Sequence, residues 1–172
     1  MSVKTWHCSF KTLPVEMVKL TYCLNDAEWE DLYTRENKEL PSDRLNGLSP
    51  RQAIIHMSEE VIKPNFGKGY IGKWIMKVME EKEKIGFKRF IFSDSGFVEE
   101  AQPIIDKYGS NNCAIFKLIR PGHDFEGDSR RYLYPSDFND EVKFVNFVND
   151  STVEDFCYTV MMEFKHFCGY CD

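Results

Sequence analysis

The sequence predicts an α/β fold, a single domain over residues 1–172 built on a mostly parallel sheet. Three observations carry this. Short apolar or alternating runs of strand length stand at 3–10, 89–93, 113–119 and 142–148. The longer stretches between them repeat apolar residues at helical spacing. Strand and helix alternate to the end of the chain, the order that parallel strands joined by helical crossovers require.

Residues 3–10 alternate apolar and polar side chains, the pattern of a half-buried strand. Pro14 suits a first helical turn, and Val15, Val18, Leu20 and Tyr22 are expected to share its apolar face. A second helix is predicted over 26–33, capped by Asn25 or Asp26. Residues 35–48 are polar and contain Pro41 and Gly47, so they read as a surface loop.

Ser49-Pro50-Arg51-Gln52 is a helix start: Ser at the cap, Pro at the first position, Gln three residues on. This helix is expected to run to about Val61 and to end near Lys63-Pro64. After a Gly-rich turn, an amphipathic helix is predicted over 70–83, stopped by Gly86. Residues 89–93 and 113–119 read as strands buried on both faces, with a helix through Ile105 between them. Residues 122–135 are polar and charged and are expected to form a mobile loop. A last strand follows, then a helix for which Ser151 and Glu154 form a capping box.

Composition sets outer limits on function. Fourteen Phe among 172 residues predict a Phe-rich core. A net charge of −6 argues against a general nucleic-acid binder or an anionic-membrane binder. No apolar run reaches the length of a membrane span, and the first residues lack a signal-peptide core, which predicts a cytoplasmic protein. Six cysteines are therefore expected as reduced thiols. Cys168-Gly-Tyr-Cys171 has metal-site spacing, but the second pair that a structural zinc site needs is missing. His7, His56, His123 and His166 are scattered and read as structural.

Ligands of parallel sheets collect beyond the carboxyl ends of the strands. Three patches fall there. In Ser93-Asp94-Ser95-Gly96, Asp94 either holds Mg²⁺ or orients a nucleophile, or caps the following helix. From Arg120 to Arg131, arginines either clamp phosphate or pair with neighbouring aspartates in a solvated loop. Ser49-Pro50-Arg51 is a helix N-terminus with a cation, and Trp74 offers a face on which a base can stack. A glycine-rich phosphate loop is absent. Gly67 and Gly72 come nearest, but Lys73 is followed by Trp74 instead of Ser or Thr.

The order of these patches resembles the phage deoxynucleoside monophosphate kinase family. The resemblance runs through Ser9-Phe10-Lys11-Thr12-Leu13-Pro14, Ser49-Pro50-Arg51, Phe92-Ser93-Asp94-Ser95-Gly96-Phe97-Val98-Glu99-Glu100-Ala101, Ile119-Arg120-Pro121, Asp128-Ser129 and Asn149-Asp150-Ser151-Thr152-Val153-Glu154. It implies a three-layer α/β/α kinase-like domain whose N-terminal phosphate-loop unit is missing or degenerate. It implies catalytic roles for Asp94, Arg120 and Arg130, with Asp94 also the metal candidate. Nucleotide contacts fall to Arg51, Trp74, Asp128, Arg131 and Asn149. Lys11 joins them if Ser9-Phe10-Lys11-Thr12 is a shortened phosphate loop. The family's Gly-Thr in the substrate helix is Ser58-Glu59 here, which brings a negative charge to that helix.

The implied function is recognition of a (deoxy)nucleoside monophosphate or related small nucleotide in a phage-encoded protein of the host cytoplasm. Mg²⁺ and ATP are the implied cofactors. Phosphoryl transfer is catalysed mainly by positioning and charge neutralisation, so loss of the loop removes most of its basis. Two further expectations concern partners. The scaffold could serve to inhibit a host enzyme or defence component, or a partner chain could complete it by supplying the missing strand and phosphate loop at an exposed sheet edge, which could also pair with a second copy as a homodimer.

Overall fold

The structure, a computed structural model, describes residues 3–123, 125–126, 131–139 and 141–169. It is mixed α/β with short parallel strands, and the chain divides into two compact units, Met1–Ser95 and Gly96–Asp172. Each unit holds its own two-stranded sheet.

In the first unit, β1 (Thr5–Cys8) pairs in parallel with β2 (Arg89–Phe92), Thr5 opposite Arg89 and Cys8 opposite Phe92. A parallel pair needs a long crossover, and five helices supply it. They are α1 (Thr12–Thr21), α2 (Asp26–Leu32), α3 (Pro50–His56), α4 (Lys63–Phe66) and α5 (Tyr70–Lys84). In the second unit, α6 (Val98–Tyr108) precedes β3 (Ala114–Ile119), which pairs in parallel with β4 (Lys143–Val148). The chain then enters α7 (Val153–Phe167).

Side-chain caps mark where α2, α3 and α7 begin. Asn25 Oδ1 accepts from the Glu28 amide at 2.9 Å, and Glu28 Oε2 accepts from the Asn25 amide at 2.8 Å. Ser49 and Gln52 repeat this reciprocal box at the start of α3. At α7 the predicted Ser151–Glu154 box is replaced by a one-sided cap one residue further on. Thr152 is the extended cap residue, and its Oγ1 accepts from the Asp155 amide at 3.2 Å.

Pro64 does not stop its helix. The chain passes from α3 through a π-helical turn, Met57–Ile62, directly into α4. Proline removes an amide donor and crowds the carbonyl four residues back. The wider i to i−5 spacing of the π turn relieves that crowding and lets helical backbone continue.

Burial differs from the sequence expectation in a consistent way. Of the fourteen Phe, only Phe10, Phe138 and Phe147 are buried. The side chains most fully enclosed in the first unit are aliphatic: Val18, Leu45, Ile62, Ile71 and Ile75. Leu45 lies within the polar 35–48 segment, on a single 3₁₀ turn, and anchors it. On α1, Pro14 and Val18 are buried but Leu20 is 78% exposed, because two residues along a helix turn a side chain by about 200°. Neither sheet is covered on both faces: Ile91 and Leu118 are exposed. The second unit packs around Ile105, Leu133, Phe138 and Val142.

Candidate functional site

The carboxyl ends of β1 and β2 lie side by side, and the residues that follow them build one site. After β1 the chain turns through Ser9, Phe10 and Lys11 into α1. After β2 comes Ser93-Asp94. Asp94 reaches across to the first turn. Its Oδ1 accepts from the Phe10 amide at 3.0 Å. Its Oδ2 accepts from the Lys11 amide at 3.0 Å and from Ser9 Oγ at 2.6 Å. A carboxylate on amides at a helix start is favoured by charge-assisted hydrogen bonding and by the helix dipole. Asp94 therefore does not cap the following helix: α6 begins after Phe97, with no side-chain cap bond.

This geometry decides what the Ser9–Thr12 turn offers a phosphate. A phosphate loop works by leaving consecutive amides open toward the ligand. Here the Phe10 and Lys11 amides point at Asp94, and the Thr12 amide donates to Ser9 O at 3.2 Å. The turn is filled by the chain's own anion.

Beside it lies an open groove of 540 Å³, a volume suited to a small ligand. His7, Ser9, Lys11, Ser93 and Asp94 line it. Thr12, Val15, Glu16, Lys19, Asp26, Trp29, Glu30 and Tyr33 complete the lining. Trp29 and Tyr33 occupy successive turns at the end of α2 and stack at 5.2 Å between ring centroids. His7 Nε2 and Ser93 Oγ are 3.0 Å apart. Lys19 Nζ lies 2.6 Å from both Asp26 and Glu16. Asp26, then Glu16, hold its ammonium above the ordinary lysine range. Carboxylates outnumber lysines along this lining, so the groove is acidic. At the end of β1, burial and then the Asp94 charge push the Cys8 thiol up to about 12.

The predicted site residues divide among several places. Lys11 and Asp94 meet at the groove. Arg51 and Trp74 belong to the same unit but do not line it. Arg51 Nε donates to Glu39 at 2.7 Å, and Trp74 lies half-buried on α5. The negative charge of Glu59 is met by Lys63 at 2.6 Å. In the second unit, Arg120 and Asn149 stand together at the carboxyl ends of β3 and β4, where the Asn149 amide donates to Ile119 O at 2.7 Å. Arg131 makes a two-pronged pair with Asp137 at 2.7 Å on each prong, the local pairing that competes with phosphate clamping. Asp128 and Arg130 lie outside the described residues, as does Cys171.

Sequence reading missed the groove's aromatic wall. It favoured Trp74, whereas the tryptophan at the groove is Trp29. The available signal was the Asn25–Glu28 box, which fixes the start of α2 and so places Trp29 and Tyr33 on one face. His7 and Ser93 are 86 residues apart, and only the parallel register joins them. Among the described residues no three His, Cys, Asp or Glu side chains gather around one point. No helix among them is long and apolar enough to cross a membrane. No family model, curated protein or solved structure matches the chain.

Proposed function

We propose that the chain binds a small nucleotide, a (deoxy)nucleoside monophosphate or close relative, in the groove beyond β1 and β2, and that it binds it as the Mg²⁺ complex. The observation that carries this reading is that one groove of nucleotide size is lined both by Tyr33, stacked on the largely buried Trp29, and by Lys11, Ser9, Ser93 and His7. A base is suited to the first and a sugar and phosphate to the second. The acidic lining accounts for the metal: Glu16 and Glu30 repel a bare phosphate but suit a nucleotide whose charge Mg²⁺ offsets. A ligand seated beyond strand ends is also what the resemblance to the deoxynucleoside monophosphate kinases implies.

The reading is of binding, without efficient phosphoryl transfer by this chain alone. Transfer rests on donors aimed at the phosphate, and the Phe10 and Lys11 amides are already engaged by Asp94.

Thermal melting against nucleoside mono-, di- and triphosphates, each with and without Mg²⁺, tests the proposal. A ligand at 100 times its dissociation constant adds about 2.7 kcal/mol of stability. A melting shift with one nucleotide, larger in Mg²⁺ and reduced in Tyr33→Ala and Lys11→Ala, supports it. No shift with any nucleotide overturns it.

A further inference from the structure

We propose that α7 is the contact surface of a homodimer, packed antiparallel against α7 of a second copy. The helix has fifteen residues and none of them is buried. Its inner side is tied to β4 through Lys143, which pairs with Glu163 at 2.7 Å and lies over the Phe167 ring at 5.7 Å. The opposite side carries Glu154, Tyr158, Met161 and Lys165. At 3.6 residues per turn these four fall within an arc of about 60°. Tyr158 is 60% exposed and Met161 44%, with Met162 beside them at 37%. Large apolar side chains clustered in the open on one helix face point to a partner.

The charge pattern selects a second copy as that partner. α7 is acidic in its first turn, at Glu154 and Asp155, and basic in its last, at Lys165 and His166. Glu154 precedes Tyr158 by the same four residues by which Lys165 follows Met161. A two-fold axis through the middle of the stripe therefore sets Tyr158 against the partner's Met161. It also sets Glu154 against the partner's Lys165, and the converse pair forms by symmetry. Parallel packing would oppose like charges at both ends and is disfavoured. One helix about 22 Å long offers less than the roughly 800 Å² per partner of a standard interface, so the dimer is weak, with a dissociation constant of tens of micromolar or more.

Sedimentation equilibrium of the full chain up to about 1 mM tests this. The expected result is concentration-dependent dimerisation that is abolished in Met161→Glu and in Tyr158→Lys. Both are exposed positions, and circular dichroism confirms that each variant is folded. Glu154→Lys and Lys165→Glu each weaken the dimer about tenfold, because each replaces two attractions by two repulsions. The double variant Glu154→Lys/Lys165→Glu restores it. A wild-type chain monomeric at every concentration overturns the proposal. So does dimerisation that survives both Met161→Glu and Tyr158→Lys. Failure of the double charge swap to restore what the single changes weaken overturns the antiparallel arrangement. None of these readouts depends on the nucleotide reading.

Discussion

The carboxylate of Asp94 accepts the backbone amide of Lys11 at 3.0 Å, across 83 residues of sequence. Together with the bonds from Phe10 and Ser9 it ties the exit of β2 to the start of α1. Asp94→Ala leaves two part-buried amides and a hydroxyl to seek other partners. Hydrogen bonds to a charged group are each worth about 1.5–3 kcal/mol, but the loss is shared and water reaches the groove. The expected cost is about 3 kcal/mol in urea unfolding. Added formate, a carboxylate small enough to fill the gap, should recover part of that loss in Asp94→Ala and leave the wild type unchanged. A variant as stable as wild type would show that the clamp contributes nothing.

Cys8, the residue before Ser9, is 2% exposed, with its thiol pushed up to about 12 by burial and then by the Asp94 charge. Only thiolates react quickly. Cys23 and Cys157 are exposed and should be modified promptly by a thiol reagent. Cys8 should react on the order of a hundredfold more slowly, through opening of the fold. The linkage has a definite sign. A folded pKa above the ordinary 9.0 means that the buried thiol favours the folded state fully below pH 9, and that this is lost as pH rises from 9 toward 12. Comparing the alkaline stability of wild type with Cys8→Ala isolates this contribution. Parallel pH profiles for the two proteins would refute it.

The start of α3 was legible in the sequence, and its cap gives a clean test. Ser49 is 2% exposed, its Oγ accepts the Gln52 amide at 3.2 Å, and Gln52 Oε1 accepts the Ser49 amide at 2.8 Å. Ser49→Ala removes the acceptor without opening a large cavity. The expected loss is about 1–2 kcal/mol by urea unfolding, and Ser49→Gly should cost less. Equal stability of Ser49→Ala and wild type would place the start of α3 under the control of Pro50 and packing alone.

Local signals of this kind explain what could be foreseen. The caps of α2 and α3, the stop at Gly86 with its φ of +95°, and the strand positions are each written within a few residues. Burial and pairing are not. Leu20 and Ile91 look like core residues, but which face is covered depends on partners far away in the chain. Asp94 shows the same limit. Within its own segment it reads as a cap or a metal ligand, and only the parallel register of β1 with β2 brings it to the Phe10 and Lys11 amides. Trp74 and Trp29 cannot be ranked without knowing which helix borders the strand ends.

In the second unit, Asp137 decides how Arg131 behaves. Asp137 accepts both prongs of the Arg131 guanidinium, and its Oδ2 also accepts the Tyr134 amide at 2.7 Å. The Arg131 hydrogen bonds, more than the Tyr134 amide, hold this carboxyl below its ordinary range. A depressed folded pKa stabilises above the ordinary carboxylate value of 3.8 and is lost as pH falls through the lower folded one. Asp137→Asn should thus be less stable than wild type at neutral pH, and the two should converge in acid. Arg131 is largely exposed, so solvent screening limits the difference to about 1 kcal/mol and added salt should shrink it. The variant also frees the Arg131 guanidinium for an anion. If Arg131 serves a phosphate, Asp137→Asn should bind inorganic phosphate more tightly than wild type does by isothermal titration, and Arg131→Ala should abolish that gain. A constant stability difference from pH 7 down through the acid range would remove the charge from this account and leave only the shape of the Tyr134–Asp137 turn.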